Sequence, residues 1–159
     1  MMFRIGQGFD VHKLAEGESL ILGGIKINHT KGTIAHSDGD VLIHAIIDAI
    51  LGAANLGDIG NLFPDSDSKY KNIDSRILLI KTNELLHKNN YEIGNIDSTI
   101  VLQKPKIAEY LPKIKNALAN VLNIDANQIS VKATTTEGLG FEGREEGVSA
   151  QAICLIYKK

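Results

Sequence analysis

From residue 41 to residue 53 the chain is apolar almost without interruption. Val41, Leu42, Ile43, Ala45, Ile46, Ile47, Ala49, Ile50, Leu51 and Ala53 leave Asp40, His44 and Asp48 as the polar side chains of the segment. Those three are each four residues from the next, so a helix over residues 40–54 carries them as one narrow stripe on an otherwise apolar cylinder. Ser37 and Asp38 stand where capping side chains are expected. Two more helices are predicted over residues 74–88 and 108–122, the latter with Pro112 in its first turn, where a missing N–H is tolerated. Residues 3–9, 20–27, 96–102, 129–135 and 148–157 read as strands. The second is broken by Gly23-Gly24, a bulge or a turn. This order predicts an α+β fold, a mixed sheet with helices packed on one face. The last strand is apolar on both faces near its end, with Val148, Ala150, Ala152, Cys154 and Ile156 opposed by Ile153, Leu155 and Tyr157. The sheet face turned away from the helices therefore needs a cover, and self-association is expected to supply it.

Size and composition narrow the picture. The chain has 159 residues, enough for a single domain over 1–159 with its own core. A net charge of -2 gives no basic face for nucleic acid. It also means that an anionic substrate has to be held by metal ions or local donors, not by the overall field. The lone Cys154 excludes an internal disulfide and sits in an apolar stretch, as a core residue does. The start, Met1-Met2-Phe3-Arg4-Ile5-Gly6, has no leader pattern, and the apolar run at 41–53 is too short and too interrupted to span a bilayer. A soluble cytoplasmic protein is expected, with no membrane and no nucleic-acid partner.

Candidate chemistry gathers in five places. The stripe on the apolar helix has an ordinary reading, a buried helix whose polar groups are hydrogen-bonded, but two acids and an imidazole together need partners. Asp10 and His12 lie two apart just past a strand, so both side chains point the same way. With His44 they make two nitrogen ligands and one oxygen ligand, a set suited to zinc with one position open. Asp40 or Asp48 would then accept from an imidazole N–H. His36-Ser37-Asp38-Gly39-Asp40, then Asp58-Ile59-Gly60 with Phe63-Pro64-Asp65-Ser66-Asp67, are polar loops flanking the helix. The stretch from Lys132 through Thr134-Thr135-Thr136-Glu137 to Arg144 is glycine-rich. Its formal G-x-G-x-x-G at Gly138, Gly140 and Gly143 is not a dinucleotide fingerprint, because a strand is expected next where the fingerprint opens a helix. Threonines, a glutamate and an arginine suit phosphate oxygens or a hard cation instead.

Taken together, Gly6-Gln7-Gly8-Phe9-Asp10-Val11-His12, Ala35-His36-Ser37-Asp38-Gly39-Asp40, Leu56-Gly57-Asp58-Ile59-Gly60, Phe63-Pro64-Asp65 and Lys132-Ala133-Thr134-Thr135-Thr136-Glu137 closely resemble the 2-C-methyl-D-erythritol 2,4-cyclodiphosphate synthase family. The resemblance implies a homotrimer with active sites between neighbouring subunits. It implies the conversion of 4-diphosphocytidyl-2-C-methyl-D-erythritol 2-phosphate to the cyclic diphosphate with release of CMP. Asp10, His12 and His44 then match zinc ligands, and Glu137 matches the protein ligand of a magnesium or manganese ion. His36 and Thr135 match positions that stabilise the transition state. Asp10, His12, His36, Ser37, Asp58, Ile59, Gly60, Phe63, Pro64, Asp65, Ser66 and Asp67 match contacts to methylerythritol and phosphate. Leu102, Lys106, Ala133, Thr134, Thr135, Thr136 and Glu137 match the cytidine nucleotide region, with Phe141 and Arg144 as further substrate contacts. Arg144 and Glu146 resemble groups at the mouth of a central trimer cavity for isoprenoid diphosphates. Two positions depart from the familiar pattern, Gln7 in place of a histidine and Glu145 in place of a glycine. A zinc phosphohydrolase and a non-catalytic trimeric module for nucleotides or isoprenoid diphosphates are the rival readings.

Overall fold

The computed structural model describes residues 2–159; Met1, where the reading of the N-terminal stretch began, lies outside them. Among these residues seven strands and five helices follow one another. They are β1 (Phe3–Glu16), β2 (Leu20–Leu22), β3 (Ile25–Ile27), β4 (Lys31–Ile34), α1 (Val41–Ala54), α2 (Ile59–Leu62), α3 (Ser75–Lys88), β5 (Tyr91–Val101), α4 (Leu111–Leu122), β6 (Ile129–Thr134), α5 (Gly140–Gly143) and β7 (Gly147–Lys158). Five strands form one sheet in the order β4-β1-β7-β5-β6. All neighbours are antiparallel except β5 and β6, which run parallel because α4 carries the chain back across the sheet. The mixed sheet with helices matches the expected fold class.

Several boundaries differ from the sequence reading, each for a physical reason. Strand β1 continues seven residues past Phe9, because the polar Asp10 and His12, read as lying just past the strand, are inward-facing strand residues. Strand β5 starts at Tyr91, five residues early, since a bulge between Ile93 and Asn95 breaks its alternation. Gly23 and Gly24 both have positive φ, 59° and 76°. That is the backbone of a tight two-residue hairpin turn, so β2 and β3 form a separate ribbon. Strand β4, at four residues, and the single-turn helices α2 and α5 are too short to show a period.

Helix α1 lies against β1 and β7, and the sequence says how closely. A Cβ on Gly6 would sit 1.9 Å from the Ala49 carbonyl oxygen, and one on Gly8 1.9 Å from that of Ala45. Strand and helix therefore touch main chain to main chain, glycines on one side and Ala45, Ala49 and Ala53 on the other. On the opposite sheet face Phe3, Ile5, Phe9, Val11 and Ile153 remain exposed, Ile5 to 71%.

The N-cap of α1 is Asp40, not Ser37 or Asp38. Its fully buried carboxylate accepts from Ile43 N (3.0 Å), Gly23 N (2.9 Å) and Gly24 N (2.6 Å), so it also ties the β2–β3 turn to the helix. Burial pushes this carboxyl up to about 6, against the pull of the backbone donors. Asp40→Asn places an amide N–H₂ among donors with nothing to accept it. It is expected to lower stability by about 2–3 kcal/mol in urea unfolding, the sum of a lost cap and an unpaired buried group. An unchanged midpoint would show that the turn and the helix do not depend on this carboxylate.

Candidate active site

Strand β1 turns Asp10 and His12 toward α1, and His44 meets them from the helix. The three ligand atoms form a nearly equilateral triangle: Asp10 Oδ2 to His12 Nε2 3.1 Å, Asp10 Oδ2 to His44 Nδ1 3.1 Å, and His12 Nε2 to His44 Nδ1 3.0 Å. Four ligands on tetrahedral zinc at its usual bond lengths are roughly 3.3 Å apart. The two nitrogens and one oxygen thus fit a zinc-sized ion with one side open, and they are the metal-ligand group of three found among the described residues. Burial alone would raise the Asp10 carboxyl, but hydrogen bonds and charge from His12 and His44 bring it down to about 2. Burial alone would lower His44, yet the hydrogen bond and charge of Asp10 raise it. Each shift reports how strongly this cluster favours a positive charge among its members.

The other two members of the polar stripe do not serve His44. Asp40 is the cap described above, and Asp48 Oδ1 accepts from Ile59 N at 2.8 Å, fastening the next loop to α1. The second ring nitrogen of His44 meets Ser75 Oγ at 2.9 Å and Ser37 Oγ at 3.2 Å instead. Ser75, at the start of α3, was not found by sequence reasoning. It looked like part of an ordinary helix start, and no spacing connects it to residue 44.

The triangle lies in a cavity of about 300 Å³. Of the residues singled out in sequence, His36, Ser37, Ile59, Gly60, Phe63 and Asp65 line it with the ligands. Ala35, Tyr70, Ile73 and Leu78 complete the wall, and the Tyr70 ring stands edge-on to Phe63 with centroids 5.4 Å apart. His36 Nε2 is buried in the protein without a hydrogen-bond partner. Pro64, Ser66, Asp58 and Asp67 are not part of the lining. Asp58 caps α2 by accepting from Asn61 N (2.8 Å), and Asp67 accepts from Lys69 N (3.1 Å) while pairing with the Lys69 ammonium at 2.6 Å.

A second cavity of about 160 Å³ brings Leu102, Lys106, Ala133, Thr134 and Thr135 together with Gln103 and Pro105. Thr136 and Glu137 follow in the chain and are not part of its lining. Glu137 has a φ of 55°, a left-handed backbone held by Glu137 N donating to Thr135 Oγ1 (3.2 Å) and Gly138 N donating to Gln103 Oε1 (3.2 Å). The stretch from Gly140 to Gly143 forms one helical turn, α5, before β7, where sequence reading expected the strand directly. Phe141 and Arg144 are exposed there, and Arg144 makes a two-pronged pair with Glu146 at 3.0 and 3.2 Å. Glu145 turns away to Lys104 (3.2 Å).

No residue lines both cavities. Across the sheet Asp10 pairs with Ala150, Ala150 with Ile100, and Ile100 with Ala133. The metal triangle and the threonine loop therefore stand at one level of the sheet, three strand spacings or roughly 14 Å apart.

Known proteins match this chain over nearly its whole length. The YgbB family model matches residues 3–157. A 2-C-methyl-D-erythritol 2,4-cyclodiphosphate synthase of Finegoldia magna is 60% identical over 156 residues, covering 98% of each chain. Its counterpart in Clostridium acetobutylicum is 62% identical over 153 residues, 96% of this chain and 99% of that one. Among solved structures, the bifunctional IspDF of Campylobacter jejuni superposes with a TM-score of 0.96 at 44% identity, over 99% of this chain and 43% of that longer protein. Plasmodium falciparum IspF in complex with CDP gives 0.87 at 42% identity, over 99% and 97% of the two chains. No helix among the described residues is long and apolar enough to cross a membrane.

Proposed function

Since the chain belongs to the YgbB family, whose relatives named above are 2-C-methyl-D-erythritol 2,4-cyclodiphosphate synthases, we propose that it converts 4-diphosphocytidyl-2-C-methyl-D-erythritol 2-phosphate to 2-C-methyl-D-erythritol 2,4-cyclodiphosphate and CMP. It is an enzyme, a phosphorus–oxygen lyase of isoprenoid-precursor synthesis, built as one synthase domain over 1–159. The observation that carries this reading is the N,N,O triangle opening into a cavity beside the unpartnered imidazole of His36.

The reaction brings an anionic phosphate onto the β-phosphorus of a second anionic group while CMP leaves, so the site must neutralise charge and hold one folded molecule in line. Zinc held by Asp10, His12 and His44, with magnesium or manganese held by Glu137, supplies that neutralisation when bound. His36 and Ser37 present polar atoms to the methylerythritol phosphate. Phe63 and Tyr70 close the floor against water, which would otherwise compete for the same phosphorus. Leu102, Lys106 and the Ala133–Thr135 wall take the cytidine nucleotide, and Thr135 stabilises the developing charge. Asp58, Pro64, Ser66 and Asp67 act by shaping the loop that delivers Ile59, Gly60 and Asp65.

A homotrimer completes the site. Its support is twofold: the two half-sites are separate within one chain, and the wide apolar face of the sheet is left for a neighbour to cover. An isoprenoid diphosphate in a central cavity of that trimer would draw on Arg144, with Glu146 holding the guanidinium. Glu145 does not compete there, because Lys104 engages it. The cytoplasm is the proposed compartment.

The deciding experiment is turnover with the cytidine-diphosphate substrate, products identified by phosphorus NMR. The cyclic diphosphate and CMP are expected. A linear product with oxygen from water would make the chain a hydrolase, and CMP binding without turnover a binding module. In the same assay Glu137→Gln keeps the loop but removes a negative ligand from a hard cation, and turnover should fall roughly a hundredfold. Zinc content should not change. A variant with unaltered magnesium dependence would take Glu137 out of the metal site.

A further inference from the structure

With His44 neutral, the triangle contains a pairing that hydrogen bonds do not explain. Ser75 is fully buried, and its hydroxyl donates to Asp38 Oδ1 at 2.5 Å, so its proton is committed. Toward His44 Nε2, at 2.9 Å, Ser75 Oγ can then only accept. The proton of neutral His44 is therefore on Nε2, and Nδ1 presents a bare lone pair to Asp10 Oδ2 at 3.1 Å, acceptor against acceptor. A proton on Nδ1 resolves the conflict in the metal-free protein, and a metal ion between the two atoms resolves it when bound. Asp38 is itself fixed, because its carboxylate also accepts from Ser75 N (2.9 Å) and Asp40 N (3.2 Å), and its own N–H donates to Ile73 O (3.1 Å).

We propose that Ser75 and Asp38 are positioning residues that hold the His44 proton on Nε2 and so keep Nδ1 facing the metal. This rests on the metal reading of the triangle and extends it inward, from the ligand to the two residues that choose which of its nitrogens binds. Ser37, 3.2 Å from the same nitrogen, accepts from Gly39 N and lines the cavity, so its hydroxyl hydrogen stays available to a substrate oxygen.

Two measurements test the relay. Zinc affinity by chelator competition should weaken 10–100-fold in Ser75→Ala, the usual loss when the partner of a ligating histidine is removed. Asp38→Asn should show a loss of the same kind. If Ser75 served the fold alone, Ser75→Ala would lower metal-free stability and leave zinc affinity untouched, which would overturn the proposal. The second measurement needs no variant. Long-range proton–nitrogen correlation spectra of the wild type should show the His44 proton on Nε2 with Nδ1 bound to zinc, and the reverse pattern would overturn the relay. If the wild type took up no zinc, the metal reading would fall. The tautomer, read in metal-free protein at alkaline pH, would still decide the relay by the same criterion.

Discussion

Replacing His44 by alanine should strip the protein of zinc and of turnover while leaving it folded. In the proposed zinc site the imidazole is one of three protein ligands. If the about 10–16 kcal/mol typical of structural zinc binding is shared among four ligands, each is worth about 3 kcal/mol, or more than a hundredfold in affinity. The fold has little reason to respond. Val41, Leu42, Ile43, Ile46, Ile47, Ile50 and Leu51 are completely buried around α1, and alanine is the better helix former. Native mass spectrometry for zinc, far-UV circular dichroism for the helix and CMP release for turnover separate the three effects. Full zinc retention in the variant would remove His44 from the ligand set.

Gly8→Ala should be more damaging to the fold than the loss of any single surface contact. The new carbon would lie 1.9 Å from the Ala45 carbonyl oxygen and 2.8 Å from Ala49 N, and both are helix main chain that no rotamer change can move. Strand and helix must part, at a cost of at least about 3 kcal/mol in urea unfolding. Gly52→Ala is the control. That glycine is exposed on the same helix with nothing within 4 Å of the added carbon, so the change should stabilise by about 0.5–1 kcal/mol. Equal midpoints for Gly8→Ala and wild type would show that the two elements are not in main-chain contact in solution.

How much of this was legible beforehand depended on whether the signal was periodic. Helix α1 and the inward face of β7 stand out because their apolar positions repeat at 3.6 and 2 residues. The convergence of Asp10, His12 and His44 was legible too, since a two-residue spacing in a strand and a stripe on a helix each leave a geometric mark. Asp40 was visible but misread as a possible partner of the histidine. Nothing in its own segment shows that the Gly23-Gly24 turn delivers two N–H groups to it. Ser75 and Asp38 were invisible as a pair for the same reason, being 37 residues apart and joined by tertiary packing alone. The capping roles of Asp58 and Asp67 were hidden behind their place in motifs that resemble substrate contacts.

The glycine–alanine seam between β1 and α1 has an implication for how this protein can vary. Asp10 lies two residues beyond Gly8, and His44 immediately precedes Ala45, so the spacing between the two halves of the ligand triangle is inherited from a contact made by main chain alone. The large side chains around α1 set how stable the molecule is, but they do not set that spacing. Drift among the buried leucines and isoleucines is thus free to raise or lower the melting temperature without retuning the chemistry. A single added methyl on the strand would retune the chemistry at once. At the seam, by contrast, one change would alter stability and chemistry together.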